Sequence, residues 1–468
     1  MGNRKTADKQ ELFANVPVPK ALFTMAIPTI ISQMINLIYN VVDAFFIGRT
    51  GNAYMMAATS LTLTMVMMCV ALSNLFGIGG GSHVARLMGA RRPDEAKQVS
   101  AFSFYGGICI ALVYSFLVSV FLDPLLNFLG ASEATIDYAR SYALISIVIG
   151  GLPAILSAVL AHLLRNAGFS SQASIGLSGG GILNVILDPL FMFVLLPKGQ
   201  EVTGAAMATA LSNTIACGYL LYAYRKASRV APMSMSWKQA LATSKANRKT
   251  VFTVGIPSAI LTGLFDLANV CVNIIASAHS DLVLAGMGIV MKVERFPNAI
   301  NVGLCQGMLP IVAFNYSSGN HDRMRETIRT ARIAGLTISA VCIVTLELLA
   351  GPAVRLFLNT NTGNAETALK TVAYAALFLR IRAIASPVQF INYHTSFSMQ
   401  AMGEGRKTLL HAFVRELVFY IPFMFLLDHL FGETGLAAAL PVGEGCGAIF
   451  ALFLLGTIIR RQQRKKSG

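Results

Sequence analysis

Residues 21–47 read ALFTMAIPTIISQMINLIYNVVDAFFI, an apolar run interrupted by a single carboxylate, Asp43. Wound as an α-helix at about 1.5 Å of rise per residue, it covers the ~30 Å hydrocarbon core of a bilayer. Comparable runs recur at roughly 53–78, 99–122, 134–163, 172–196, 201–224, 251–278, 282–315, 328–350, 367–398, 408–431 and 435–459. Period-2 alternation is absent, which argues against an outer-membrane barrel. With 55% hydrophobic and 13% charged residues and a mean hydropathy of +0.62, the chain reads as an all-α polytopic membrane protein with twelve transmembrane helices.

The net charge of +15 is unevenly placed. Lys and Arg gather in alternate connections: Arg4, Lys5, Lys9 and Lys20; Arg86, Arg91, Arg92 and Lys97; Arg165; the segment 225–249; Arg323, Arg325, Arg329 and Arg332; Arg406, Lys407 and Arg415; and the tail from Arg460. The intervening connections hold only Arg49, Arg140, Lys198, Arg355 and Lys370. The positive-inside rule then puts both termini and the even-numbered loops in the cytoplasm. No folded basic domain remains outside the membrane, so nucleic acid is not an expected partner. The seven cysteines lie in apolar runs, are odd in number and form no CxxC, which suggests neither a disulfide framework nor a zinc site. No small-residue cleavage site precedes the first run, which is expected to remain in the mature chain.

The chain repeats itself. Ala26-Ile27-Pro28 is answered by Gly255-Ile256-Pro257, and Thr203-Gly-Ala-Ala206 by Thr434-Gly-Leu-Ala437. Gly77-Ile-Gly-Gly-Gly81 aligns with Gly303-Leu-Cys-Gln-Gly307, Pro153 with Pro387, and Pro189 with Pro422. An even number of spans per copy makes the repeat parallel, related by an axis along the membrane normal. The expected division is a six-helix lobe at 1–224, a cytoplasmic linker at 225–249 and a second six-helix lobe at 250–468. Two lobes facing one another leave a central cleft, the geometry that alternating access requires.

Ionisable side chains at membrane depth cost roughly 3 kcal/mol or more, so each marks an ion or substrate path by default. The run 172–196 carries Asn184-Val-Ile-Leu-Asp188-Pro189. Asn184 and Asp188, at i and i+4, share a helix face, and Pro189 leaves the Val185 carbonyl without its usual helical donor. Asp43, following Tyr39-Asn40, is the natural opposite wall. Counted from the ends of their runs, the two carboxylates lie within about one helical turn of the same level. Such a pair is suited to binding H⁺ or Na⁺, with Asn40 as a further candidate ligand. The second half does not repeat it, because Val272 stands where Asp43 stands in the first. Instead it offers Asp266, Lys292, Glu294, Arg295, Arg380 and Arg382, charges expected to neutralise one another or to line a substrate path. Gln33, Tyr39, Met65 and Met68 are further candidates for that path. No cofactor motif and no nucleophile–base pairing is evident, so an enzyme is not expected.

Tyr39-Asn40-Val-Val-Asp43 followed by Phe46-Ile-Gly-Arg49, the Asn184–Pro189 stretch, the Gly-rich end of the second run and Gly303-Leu-Cys-Gln-Gly307-Met-Leu-Pro310 together resemble the multidrug and toxic compound extrusion (MATE) transporters over essentially the whole chain. The resemblance implies a V-shaped 6+6 fold in a bacterial cytoplasmic membrane, exporting small organic, often cationic compounds against inward H⁺ or Na⁺. It implies a cation site at Asp43, Asn184 and Asp188, joined in some members by a sixth-span threonine, for which Thr203 and Thr209 are candidates. The NorM-like branch places acids on spans seven and ten. Asp266 lies near the first, but span ten offers Arg380 and Arg382, which points to the DinF-like or MepA-like branches. A monomer is expected. The rival expectation is a flippase for lipid-linked oligosaccharide or another amphipathic anion, which needs a strongly cationic cavity.

Overall fold

A computed structural model describes residues 11–355 and 365–467. Arg4, Lys5 and Lys9 lie outside the described residues, as do the side chains of Arg355, Arg464, Lys465 and Lys466. The first three helices are α1 (Val18–Arg49), α2 (Ala53–Gly89) and α3 (Pro93–Val120). The fourth, α4, is bent by 47° between Ile136–Ile149 and Gly151–Asn166. Next come α5 (Ser170–Leu195), α6 (Glu201–Ala227), α7 (Lys245–His279), α8 (Asp281–Ser317) and α9 (His321–Arg355). The tenth, α10, is bent by 49° between Lys370–Ala383 and Ser386–Ala401. The helical stretch Gly405–Arg461 is two spans, because Gly432 interrupts it at φ 60°. This left-handed conformation suits glycine, and it separates α11 (405–431) from α12 (433–461). Among the described residues twelve long helices result, and there is no β-strand.

Local chemistry sets several boundaries. The Asn52 side chain accepts from the Tyr54 and Met55 amides at the start of α2, Ser244 caps α7, and Ser280 caps α8. The runs expected as continuous spans at 134–163 and 367–398 are instead broken. In each, the repeated proline, Pro153 or Pro387, lies within the first turns after the bend. A proline near a helix start forfeits no hydrogen bond, so the bend settles just ahead of it.

The two halves meet at the basic end of the molecule and separate toward the other. The largest apolar cluster crosses between them there, joining Met25, Ala26, Phe76 and Met88 to Leu304, Met308, Phe314 and Met399. Farther out, packing divides into a cluster of the second half (Val272, Met287, Phe378, Met424) and one of the first (Ile47, Met55, Met192, Val202). The repeated glycine stretches explain the contact. Gly79 of α2 faces Gly255 of α7, and Gly303 and Gly307 of α8 face Ile30 and Ala26 of α1. Without side chains at these positions the backbones can touch, the usual basis of helix association in lipid.

Three cations that the charge pattern assigns to loops are buried at or within this packing. Arg86 donates to the Gln400 and Ala401 carbonyls across the junction, both at 3.0 Å. Arg165 donates to Gln306 Oε1 at 3.1 Å, also across it. Arg415 is inside α11 and 1% exposed. Their loop assignment is therefore corrected: each finds an acceptor on a neighbouring helix that makes burial tolerable, and sequence position alone does not reveal such an acceptor.

Candidate functional site

On α5, Asn184 and Asp188 do share a face, and both are buried, at 2% and 0% exposure. Asn184 Nδ2 donates to Asp188 Oδ1 at 3.2 Å and to Thr209 Oγ1 of α6 at 3.3 Å. The Tyr142 phenol on α4 lies within electrostatic reach of Asp43 and Asp188. Glycine at 181 lets α1 close on α5: a β-carbon there would come 3.1 Å from the Tyr39 ring. One turn beyond Tyr39 lies Asp43, near enough to Asp188 for their charges to interact. Beyond Pro189 the helix widens to a π turn over Phe191–Leu195, a feature frequent at functional sites.

The unused atoms define the chemistry. Asp43 Oδ1, Asn184 Oδ1 and Asp188 Oδ2 are buried and accept no hydrogen bond. Two carboxylates and an amide oxygen in low dielectric carry excess negative charge that a proton or a hard cation offsets. The ligand set fits either.

Other sequence candidates fall elsewhere. Asn40 turns its amide back along α1, donating to the Asn36 carbonyl at 2.7 Å and to Asn36 Oδ1 at 3.1 Å, and among the described residues it makes no bond to α5. Its own helix has captured the group. Thr209, rather than Thr203, is the α6 threonine bonded to Asn184. Gln33 is half-buried on α1. Met65 is 3% exposed, inside the packed first half, whereas Met68, one turn later, is 48% exposed. The turn of the helix aims Met65 into the packing of the first half.

In the second half, Glu294 of α8 and Arg382 of α10 form a two-pronged ion pair at 2.8 and 2.9 Å. Beside it is a cavity lined by Phe265, Asn269, Glu294, Arg295, Gln389 and Tyr420. Asp266 of α7 lies within electrostatic reach of Arg295. Arg380 points away from this group to Glu347 of α9, at 3.8 Å and half exposed. Its helix face looks away from the Glu294–Arg382 pair. Lys292 is exposed.

Sequence reasoning missed a second buried group, Arg415 and Glu416 of α11 with Glu444 of α12, each 1% exposed. The signal was available. Glu416 and Glu444 interrupt apolar runs as Asp43 does.

Comparison with known proteins gives a consistent result. The MatE family model matches twice, over residues 28–190 and 257–426. A multidrug export protein MepA of Staphylococcus haemolyticus is 31% identical over 450 residues, covering 96% of each chain. MepA of Staphylococcus aureus strain MRSA252 is 29% identical over 443 residues, covering 95% of this chain and 94% of that one. Among solved structures, a MATE in complex with MaL6 superposes with a TM-score of 0.90 at 22% identity, covering 97% of this chain and 99% of that one. An outward-facing multidrug resistance MATE family transporter of the MOP superfamily gives 0.89 at 22% identity, covering 97% and 98%.

Proposed function

The chain belongs to the MatE family, on the MepA-like side, and from that premise we propose that it is a secondary active multidrug antiporter of a bacterial cell membrane. It exports small organic compounds in exchange for H⁺ or Na⁺ taken up at Asp43, Asn184 and Asp188. The observation that supports this most is the trio of buried, unpartnered oxygens on α1 and α5. Filling them changes the charge of the first half, and a ligand that binds one conformation better shifts the balance between conformations.

The same reading takes 1–224 and 250–468 as the two moving lobes, 225–249 as their tether and the monomer as the working unit. With the basic end in the cytoplasm, lobes joined at that end constitute the state open to the outside. A flippase reading is weaker, because two of the four candidate cations for an anionic headgroup are engaged by acids: Arg382 is neutralised by Glu294, and Arg380 is turned toward Glu347.

The experiment is drug transport in proteoliposomes under separately imposed pH and Na⁺ gradients. Wild type should respond to one gradient, and Asp188→Asn should respond to neither while inserting normally. Undiminished gradient-driven transport by the variant would remove Asp188 from the mechanism.

A further inference from the structure

The buried group on α11 and α12 carries one more negative charge than it can neutralise internally. Arg415 gives its Nε–H to Glu444 Oε2 at 2.8 Å and its Nη2 to Glu444 Oε1 at 2.5 Å. Asn392 of α10 adds a bond to Glu444 Oε2 at 2.6 Å, and the Tyr393 ring lies 5.0 Å below the guanidinium. That ion pair is complete. Glu416, the next residue on α11, lies 3.5 Å from an Arg415 Nε already committed to Glu444, and neither of its carboxylate oxygens accepts a hydrogen bond.

The neighbouring imidazole does not supply the missing charge. Asn392 donates to Glu444 through Nδ2, so its Oδ1 accepts from His411 Nε2 at 3.0 Å. His411 Nδ1 can then accept from Ser396 Oγ at 2.9 Å, and a neutral ring satisfies both bonds. Arg382, which lines the neighbouring cavity, gives its Nε and Nη2 to Glu294. Tyr420 lies within electrostatic reach of Glu416 and also lines the cavity beside Glu294 and Arg382. Arg415, Glu416 and Tyr420 all fall in a π-helical stretch, Val414–Tyr420, a departure from α geometry that recurs at functional sites.

We infer that Glu416 is a proton-binding site of the second half, separate from Asp43 and Asp188, which exchanges its proton with the cavity lined by Tyr420. A carboxylate at membrane depth whose neighbouring guanidinium is committed to another acid is stable only when neutralised. A hard metal cation would need several free oxygens, and those of Glu444 are already occupied. A proton needs only one carboxylate oxygen of Glu416. It adds from cavity water on acidification and returns there on deprotonation, with no other bond changed. This inference goes beyond the antiport reading and holds whether or not Asp188 couples transport.

Infrared difference spectra of the full-length protein in detergent, recorded between about pH 6 and pH 8, test it, because exposed carboxylates stay ionised across that window. The Asp43→Asn/Asp188→Asn variant should retain a carboxylic-acid C=O band that grows toward acid pH, and adding Glu416→Gln should abolish it. A residual band that survives Glu416→Gln would overturn the inference. So would the absence of any pH-dependent band in Asp43→Asn/Asp188→Asn, a result that does not depend on a Glu416 variant folding.

Discussion

Gly307 of α8 lies against Ala26 of α1 so closely that a β-carbon on the glycine would come 2.5 Å from the Ala26 Cα. The contact joins a residue of the second half to the first helix of the other half, and in the repeat the equivalent helix pair, α2 and α7, meets through Gly79 against Gly255. Closure at the basic end therefore rests on missing side chains. Gly307→Val should oppose it by about 1–3 kcal/mol, the usual cost of overpacking. The measurement is disulfide crosslinking between Asn74→Cys and Thr262→Cys, whose native side chains bond across the junction at 3.1 Å. Crosslinking should be efficient without Gly307→Val and strongly reduced with it.

Asn184 supports the first-half site through two bonds, to Asp188 and to Thr209. Asn184→Ala should not weaken proton binding, because the lost Nδ2 bond favours the empty carboxylate. It also removes one of the three free oxygens, so Na⁺ binding should weaken by roughly ten- to a hundredfold. Thr209→Ala should weaken it less, because Thr209 acts on Asp188 only through the Asn184 amide. Transport rate as a function of cation concentration distinguishes the two. Equal effects would contradict the geometry.

The Glu294–Arg382 pair is buried, at 11% and 3% side-chain exposure. Arg382→Met leaves Glu294 without its partner and should destabilise the second half by about 3–5 kcal/mol, whereas Glu294→Gln with Arg382→Met should recover most of that loss. Thermal unfolding in detergent measures both. A double variant no more stable than Arg382→Met would show that the pair is not what holds the two helices together.

The orientation can be tested directly. Lys238→Cys, in the short helix Trp237–Leu241 between the halves, should react with an impermeant thiol reagent only from the cytoplasm. Thr362→Cys should react only from outside. Modification of both from the same face would contradict the twelve-span topology.

Hydrophobic length alone revealed the spans, because a bilayer imposes one constraint everywhere and each run meets it locally. The repeat was visible for a similar reason. Gly79, Gly303 and the two bend-associated prolines act through backbone geometry, so their identity carries the information. The pairing of Asn184 with Asp188 was also legible, since i and i+4 share a helix face whatever surrounds them.

Partners on other helices were not legible. Arg415 reads as a loop cation in the chain and becomes an interior one because α12 brings Glu444 to it. Met65 and Arg380 are path candidates in the sequence, and only neighbouring helices show that Met65 packs inward and that Arg380 meets Glu347. Glu416 is an acid in an apolar run like Asp43, but its lack of a partner emerges only once Arg415 is seen to be fully engaged by Glu444. Hydropathy and spacing are properties of a single segment and can be read from composition. Charge balance in low dielectric is a property of several segments at once, and packing alone establishes which of them meet.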